Sequence, residues 1–142
     1  MFIYQTYPEN TAYNIALPLQ FSTQIHVEIL QQAVQQLVAR HSMLRTRFFE
    51  LDGVPYQQPF SAEMAHDWQT IDANGWTEPE LLEQVRQASQ QPFILEQGVF
   101  RVTWFTRAKT DAVLLFTLHQ IAGDATSLTI LGRELLTLYA AL

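Results

Sequence analysis

The stretch LLFTLHQIAGDATSL, Leu114 to Leu128, decides how the chain is read. Val113 to His119 is an apolar run short enough for a strand and apolar enough to lie in the middle of a sheet. A polar turn follows, and Asp124, or Thr126 or Ser127 beside it, opens a helix as an N-cap. Beyond it Leu128, Leu131, Leu135, Leu138 and Leu142 fall on one helical face. A buried strand therefore hands over directly to an amphipathic helix, with His119, Gln120 and Asp124 gathered at the junction.

Working outward, Phe100 to Phe105 reads as the preceding strand, joined to Val113–His119 by the polar turn Thr106 to Asp111. Upstream, Thr77-Glu78-Pro79-Glu80 has capping-box spacing with Pro in the first turn. The helix it starts carries Leu81, Leu82, Val85 and Ala88 and stops before Pro92. A short strand precedes it near Trp68 to Ile71. Arg45 to Leu51 and Val54 to Gln58 flank Asp52-Gly53, a hairpin signature. His26 to Ser42 places Val27, Leu30, Val34, Leu37, Val38 and His41 at helical spacing. Tyr13, Ile15, Leu17, Leu19 and Phe21 alternate as in a half-buried strand, and Pro18 puts that strand at a sheet edge or beside a bulge. Helices and hairpins alternate irregularly, so the expected class is α+β with a mixed or mainly antiparallel sheet in one domain, residues 1–142.

Composition narrows the function. The formal net charge is −6 and the eight basic residues are scattered apart from Arg40, Arg45 and Arg47, so nucleic acid is excluded as a partner. Apolar residues make up 48% of the chain without any run long enough to cross a bilayer, and there is no signal-peptide pattern, so a soluble cytoplasmic protein with no membrane partner is expected. There are no cysteines, and His26, His41, His66 and His119 share no ligand spacing, so no metal site is expected. The glycines are isolated, which excludes a phosphate loop, and no G-x-S-x-G elbow is present. Trp68 and Trp76 are read as core aromatics and not as a ligand platform. His26 is a poor helix cap and exposed.

Three segments, PENTAYNIALPLQF, LVARHSMLRTRFFELDG and VLLFTLHQIAGDATSLTILGRELLTLY, together resemble the N-terminal half of a condensation domain from a nonribosomal peptide synthetase. The family's Arg-His-x-x-Leu-Arg-Thr-x-Phe motif is complete as Arg40, His41, Leu44, Arg45, Thr46 and Phe48. QPFILEQGVFRVTWF, residues 91–105, resembles another family segment. The resemblance implies a chloramphenicol-acetyltransferase-like lobe, two of which form a V around a tunnel. There an amine on one carrier-protein phosphopantetheine arm attacks a thioester on the other. No cofactor bound directly to the chain is implied.

The resemblance also implies where the chain departs. Aligned on Asp124, the first His of the family's His-His-x-x-x-Asp-Gly motif is His119, the second falls on Gln120 and the Gly on Ala125. An amide does not titrate near neutrality and cannot take a proton as imidazole does. His119 is expected to be a buried, hydrogen-bonded core residue, because strand neighbours face opposite ways and Asp124 lies five residues on, not the four that related acyltransferases use. Asp124 is read as a cap, with any ionic partner drawn from Arg40, Arg45 or another nearby base. Arg40 and Arg45 are expected to anchor carbonyls or a carboxylate at a helix–strand junction, and His41 is expected to pack on the apolar helix face.

Two readings follow. The first is a truncated, catalytically inactive lobe, lacking the family's first motif and the second lobe. It would serve as a scaffold, docking or dimerisation element beside carrier or synthase domains of a peptide or polyketide assembly line. Its uncovered surface, sought at the strand with Pro18 and near Asp124, is expected to be closed by a homodimer or a partner. The alternative is a fragment of an amide-forming domain completed by a second lobe, with positioning alone supplying much of the rate.

Overall fold

A computed structural model describes residues 2–3, 14–61 and 67–142; Tyr13 and His66 lie outside them. The elements run β1 (Phe2–Ile3), β2 (Asn14–Phe21), α1 (Val27–Arg40), a 3-10 turn (Ser42–Arg45), β3 (Thr46–Leu51), β4 (Val54–Pro59), β5 (Asp67–Asp72), α2 (Glu78–Ser89), β6 (Phe100–Ala108), β7 (Asp111–His119) and α3 (Ala125–Ala141).

Five strands form one mixed sheet in the order β1-β2-β7-β6-β5, and β3-β4 form a separate hairpin. β7 is the central strand, paired antiparallel with β2 from Asn14↔His119 to Phe21↔Ala112 and with β6 on its other side. Only β5 and β6 run parallel, the pairing that requires the α2 crossover between them. The α+β class and mainly antiparallel sheet expected from the sequence are therefore present.

The sheet is covered on both faces, which is why β7 reads as a nearly unbroken apolar run. Leu114, Phe116 and Leu118 face a core shared with Leu30, Val34 and Leu37 of α1 and with Leu128, Leu131 and Leu135 of α3. Val113 and Leu115 face a smaller core with Leu81 and Val85 of α2. Each such leucine contributes about 1.5–3 kcal/mol on burial, so the central strand is fixed from both sides.

Local chemistry sets the boundaries. Thr77 and Glu80 form the reciprocal capping box at α2. Asp52 (φ 52°) and Gly53 (φ 77°) both adopt the left-handed region that a two-residue hairpin loop needs. β6 and β7 extend beyond the expected turn limits, because pairing continues across an irregularity between Thr106 and Ala108 as far as Ala108↔Asp111. α1 ends at Arg40, before the expected Ser42, because the chain tightens into the 3-10 turn. Leu142 lies past the end of α3 and is exposed, so it is not part of the apolar face.

Pro18 is a further correction. It is buried within β2, paired along β7, and β1 pairs with β2 only at Leu19 and Gln20. Its missing donor is tolerated where no described strand lies on the outer side, but it offers no exposed edge. Trp68 and Trp76 are partly buried against the two cores, as read from the sequence. Among the described residues, no helix is long and apolar enough to cross a membrane.

Candidate functional site

The site is built where β7 ends. His119 is its last residue, and its backbone carbonyl accepts the Ala122 N–H at 3.0 Å, closing a turn that carries Gln120 and Ile121 outward. Gly123 follows, where a Cβ would lie 3.1 Å from Leu118 Cδ2 and 3.3 Å from Ser127 Cβ, so a larger residue there would have to push one of them aside by a few tenths of an ångström. α3 then begins. Asp124 Oδ1 accepts the Ser127 backbone N–H at 2.8 Å and the Ser127 hydroxyl at 2.9 Å. These bonds hold the Asp124 carboxyl below its ordinary range. Ala125 is the first helical residue, half-buried against the larger core.

An open depression of about 520 Å³ is lined by Ile15, His119, Gln120, Ile121, Gly123 and Asp124. Gln120 is exposed on its rim. Strand alternation puts His119 on the α2 face with Val113 and Leu115, opposite in register to Asn14. His119 is not the fully buried residue expected: as the last residue of β7 it is half-buried, because the sheet ends there. Its Nδ1 accepts the Ile121 N–H at 3.0 Å, and Phe93 meets the ring edge-on with centroids 6.3 Å apart. Partial burial lowers its pKa, so the neutral imidazole is favoured.

The structure does not bring the Arg40–Phe48 motif to this depression. Arg45 ties the end of α1 to the hairpin, donating through Nη1 to the Phe60 carbonyl at 3.0 Å and through Nε to the Val38 carbonyl at 3.3 Å. Thr46 donates to the Ser42 carbonyl at 2.6 Å, Leu44 is buried, and Phe48 packs against the larger core. Arg40 binds Glu134 of α3 at 2.9 Å. His41 is corrected. It caps the end of α1 half-exposed, with Nε2 2.8 Å from the other Glu134 oxygen, and does not pack on the apolar face. Arg40 and Arg45 are thus engaged elsewhere, and Asp124 takes the capping role alone. His26 is an N-cap without a side-chain bond, and its backbone N–H instead donates to the Tyr139 hydroxyl at 3.1 Å.

Sequence reasoning missed Glu134 and Asn14, and met Phe93 and Arg101 only as part of the family-like segment 91–105. Glu134 looks like any solvent-facing helix residue. Asn14 carried a signal, a polar residue within an otherwise apolar strand, and its buried Nδ2 donates to the Ser89 and Gln91 carbonyls at 3.2 and 2.6 Å. Among the described residues, no cluster of His, Cys, Asp and Glu is placed to hold a metal.

A mixed sheet, covered on both faces, with a strand–turn–helix depression at the end of its central strand defines one lobe of the condensation-domain type. The starter condensation domain of the rhizomide synthetase RzmA has this fold, with a TM-score of 0.80 over 95% of the chain and 33% of that structure at 23% identity. The SgcC5 protein from Streptomyces globisporus matches with a TM-score of 0.76 at 27% identity, covering 94% of the chain and 31% of that structure. The chain belongs to the condensation domain family, whose model matches residues 1–142. It is 35% identical over 130 residues to a dimodular nonribosomal peptide synthase of Bacillus subtilis, 91% of this chain and 5% of that protein. The chain thus spans about a twentieth or less of the curated relatives it matches.

Proposed function

We propose that this lobe serves a nonribosomal peptide or polyketide assembly line as a catalytically inactive scaffold, docking or dimerisation element beside its carrier or synthase domains. The observation that carries this reading is the composition of the depression. Of its six lining residues only His119 and Asp124 titrate. His119 Nδ1 is already an acceptor for Ile121, and Asp124 Oδ1 caps α3. The outward position of the turn is held by Gln120, whose amide orients a partner by hydrogen bonds and moves no proton. Exposed Leu51, Val54 and Tyr56 on the β3–β4 hairpin supply apolar surface for docking.

The test is mass spectrometry of carrier proteins loaded on their phosphopantetheine arms and incubated with the protein. No acyl transfer or amide formation is expected. Product whose formation is lost on Gln120→Ala overturns the reading.

A second reading keeps the lobe within an amide-forming domain, completed by a second lobe. What favours it is the intact frame of the turn, with its Gly123 approach and Asp124 cap, because positioning of two tethered reactants by itself accelerates their reaction. Under it, Gln120→Ala slows transfer in the complete domain.

A further inference from the structure

The Gln91–Phe105 segment resembles a family motif but has no part in the reading above. Its two ends fold onto each other. Arg101, on β6, donates through Nη1 to the Gln91 carbonyl at 3.2 Å and through Nη2 to the Pro92 carbonyl at 3.3 Å. Its guanidinium carbon lies 4.3 Å from the Phe93 ring centroid. The same Gln91 carbonyl accepts from Asn14 Nδ2 on β2 at 2.6 Å. Since β2 and β6 flank β7, this short stretch is tied to both neighbours of the central strand and crosses over its last residues.

Phe93 is therefore set between two groups, the Arg101 guanidinium and the His119 imidazole. His119 Nδ1 in turn receives the Ile121 N–H. A continuous series of contacts runs from Arg101 through Phe93 and His119 to the turn that presents Gln120. Turning the imidazole would carry Nδ1 away from the Ile121 amide, and the Phe93 ring, nearly perpendicular to it, stands against that rotation.

We propose that Arg101 is a positioning residue for the 119–124 turn, acting through Phe93 and His119. This deepens the function proposed above and rests on that turn being the site. Arginine suits the role because one planar fork serves two carbonyls while its face covers a ring; lysine, a point charge, does not do both.

The test uses the whole chain and reads the turn, not activity. Amide hydrogen exchange of Ile121 is compared with that of Leu115, deep in β7, and the His119 imidazole is followed by nitrogen NMR against pH. In Arg101→Met and Arg101→Lys, Ile121 exchange is expected to rise about tenfold or more, the factor carried by hydrogen bonds to a charged group, while Leu115 exchange is unchanged. Phe93→Leu removes the ring but leaves the carbonyl ties, and is expected to raise Ile121 exchange by a smaller factor, again with Leu115 unchanged. In all three the His119 titration moves up toward its ordinary value. Ile121 and Leu115 rising together, or an unchanged Ile121 in Phe93→Leu, overturns the proposal. Carrier-protein transfer decides the proposed function separately, so either can fail without the other.

Discussion

Gly132 of α3 faces Leu17 of β2 so closely that a Cβ at 132 would lie 2.8 Å from Leu17 Cδ2. Leu17 is 1% exposed, so its side chain has little space to yield. Two effects oppose each other on Gly132→Ala. Alanine gains up to about 1 kcal/mol in helix propensity, and overpacking costs about 1–3 kcal/mol. Overpacking is expected to win by about 1 kcal/mol, lowering Tm by about 2–8 °C. An unchanged Tm would show that Leu17 has another rotamer open to it.

His119 is expected to act as an acceptor and not as a base. His119→Ala leaves the Ile121 N–H without its partner and costs about 1 kcal/mol. In His119→Asn the side-chain oxygen stands close to where Nδ1 was, so most of that loss is expected to be recovered. Thermal denaturation of the two variants distinguishes them, and equal losses would show that ring packing matters more than the hydrogen bond.

The same residue sets a pH dependence. Its folded pKa is lowered by burial from 6.5, so the unfolded chain binds the proton first. Stability is expected to fall as pH drops below about 6.5 towards the folded pKa, and His119→Asn should remove that slope. A second loss follows below about 4.5, as Glu134, held low mainly by Arg40 and then by His41, is protonated and releases both. Glu134→Gln should shrink the second loss, to which the lowered carboxyls of Glu83 and Asp124 also contribute, and leave the first. Denaturant midpoints measured between pH 3 and 8 check both.

Asp124 is expected to work as a cap and not as an ionic partner. Asp124→Asn and Asp124→Ser keep an acceptor for the Ser127 N–H and should retain most of the melting temperature, while Asp124→Ala should not. If Asn were as damaging as Ala, the negative charge would be the requirement.

Self-association is expected at the hairpin. Leu51, Val54 and Tyr56 are about half exposed, and Phe49 stacks on Tyr56. Pro18, where an open surface was expected, is buried, and near Asp124 the exposed apolar side chain is Ile121. Light scattering should show a mass above the monomer at high micromolar concentration, reduced to the monomer by Val54→Lys with Tyr56→Lys. A strictly monomeric mass without binding of a hydrophobic dye would mean that this surface needs no cover.

The elements were legible because their signals are local. The Asp-Gly pair, the Thr77–Glu80 box and the leucine spacing of α3 each announce themselves within a few residues. The site was legible in part. Asp124 as a cap follows from propensity, but the half-exposure of His119 depends on where the sheet ends, which periodicity along one strand does not contain. His41 was misplaced because helical spacing continues on paper past Arg40, where the chain has already tightened. Glu134 as the partner of Arg40, and His119 as a partner of Phe93, come from elements remote in sequence, and no local pattern records them.

The pairing of Asn14 with His119 also bears on the order of assembly. β6 and β7 are joined by a tight turn and zip locally, whereas β2 must find β7 across roughly a hundred residues, the kind of closure that slows folding. During synthesis β2 leaves the ribosome long before its partner exists, with Leu17 and Leu19 uncovered. The depression, one wall of which is Ile15, is therefore completed only when the earliest described long strand meets the latest, and is expected to be among the last features of the fold to appear.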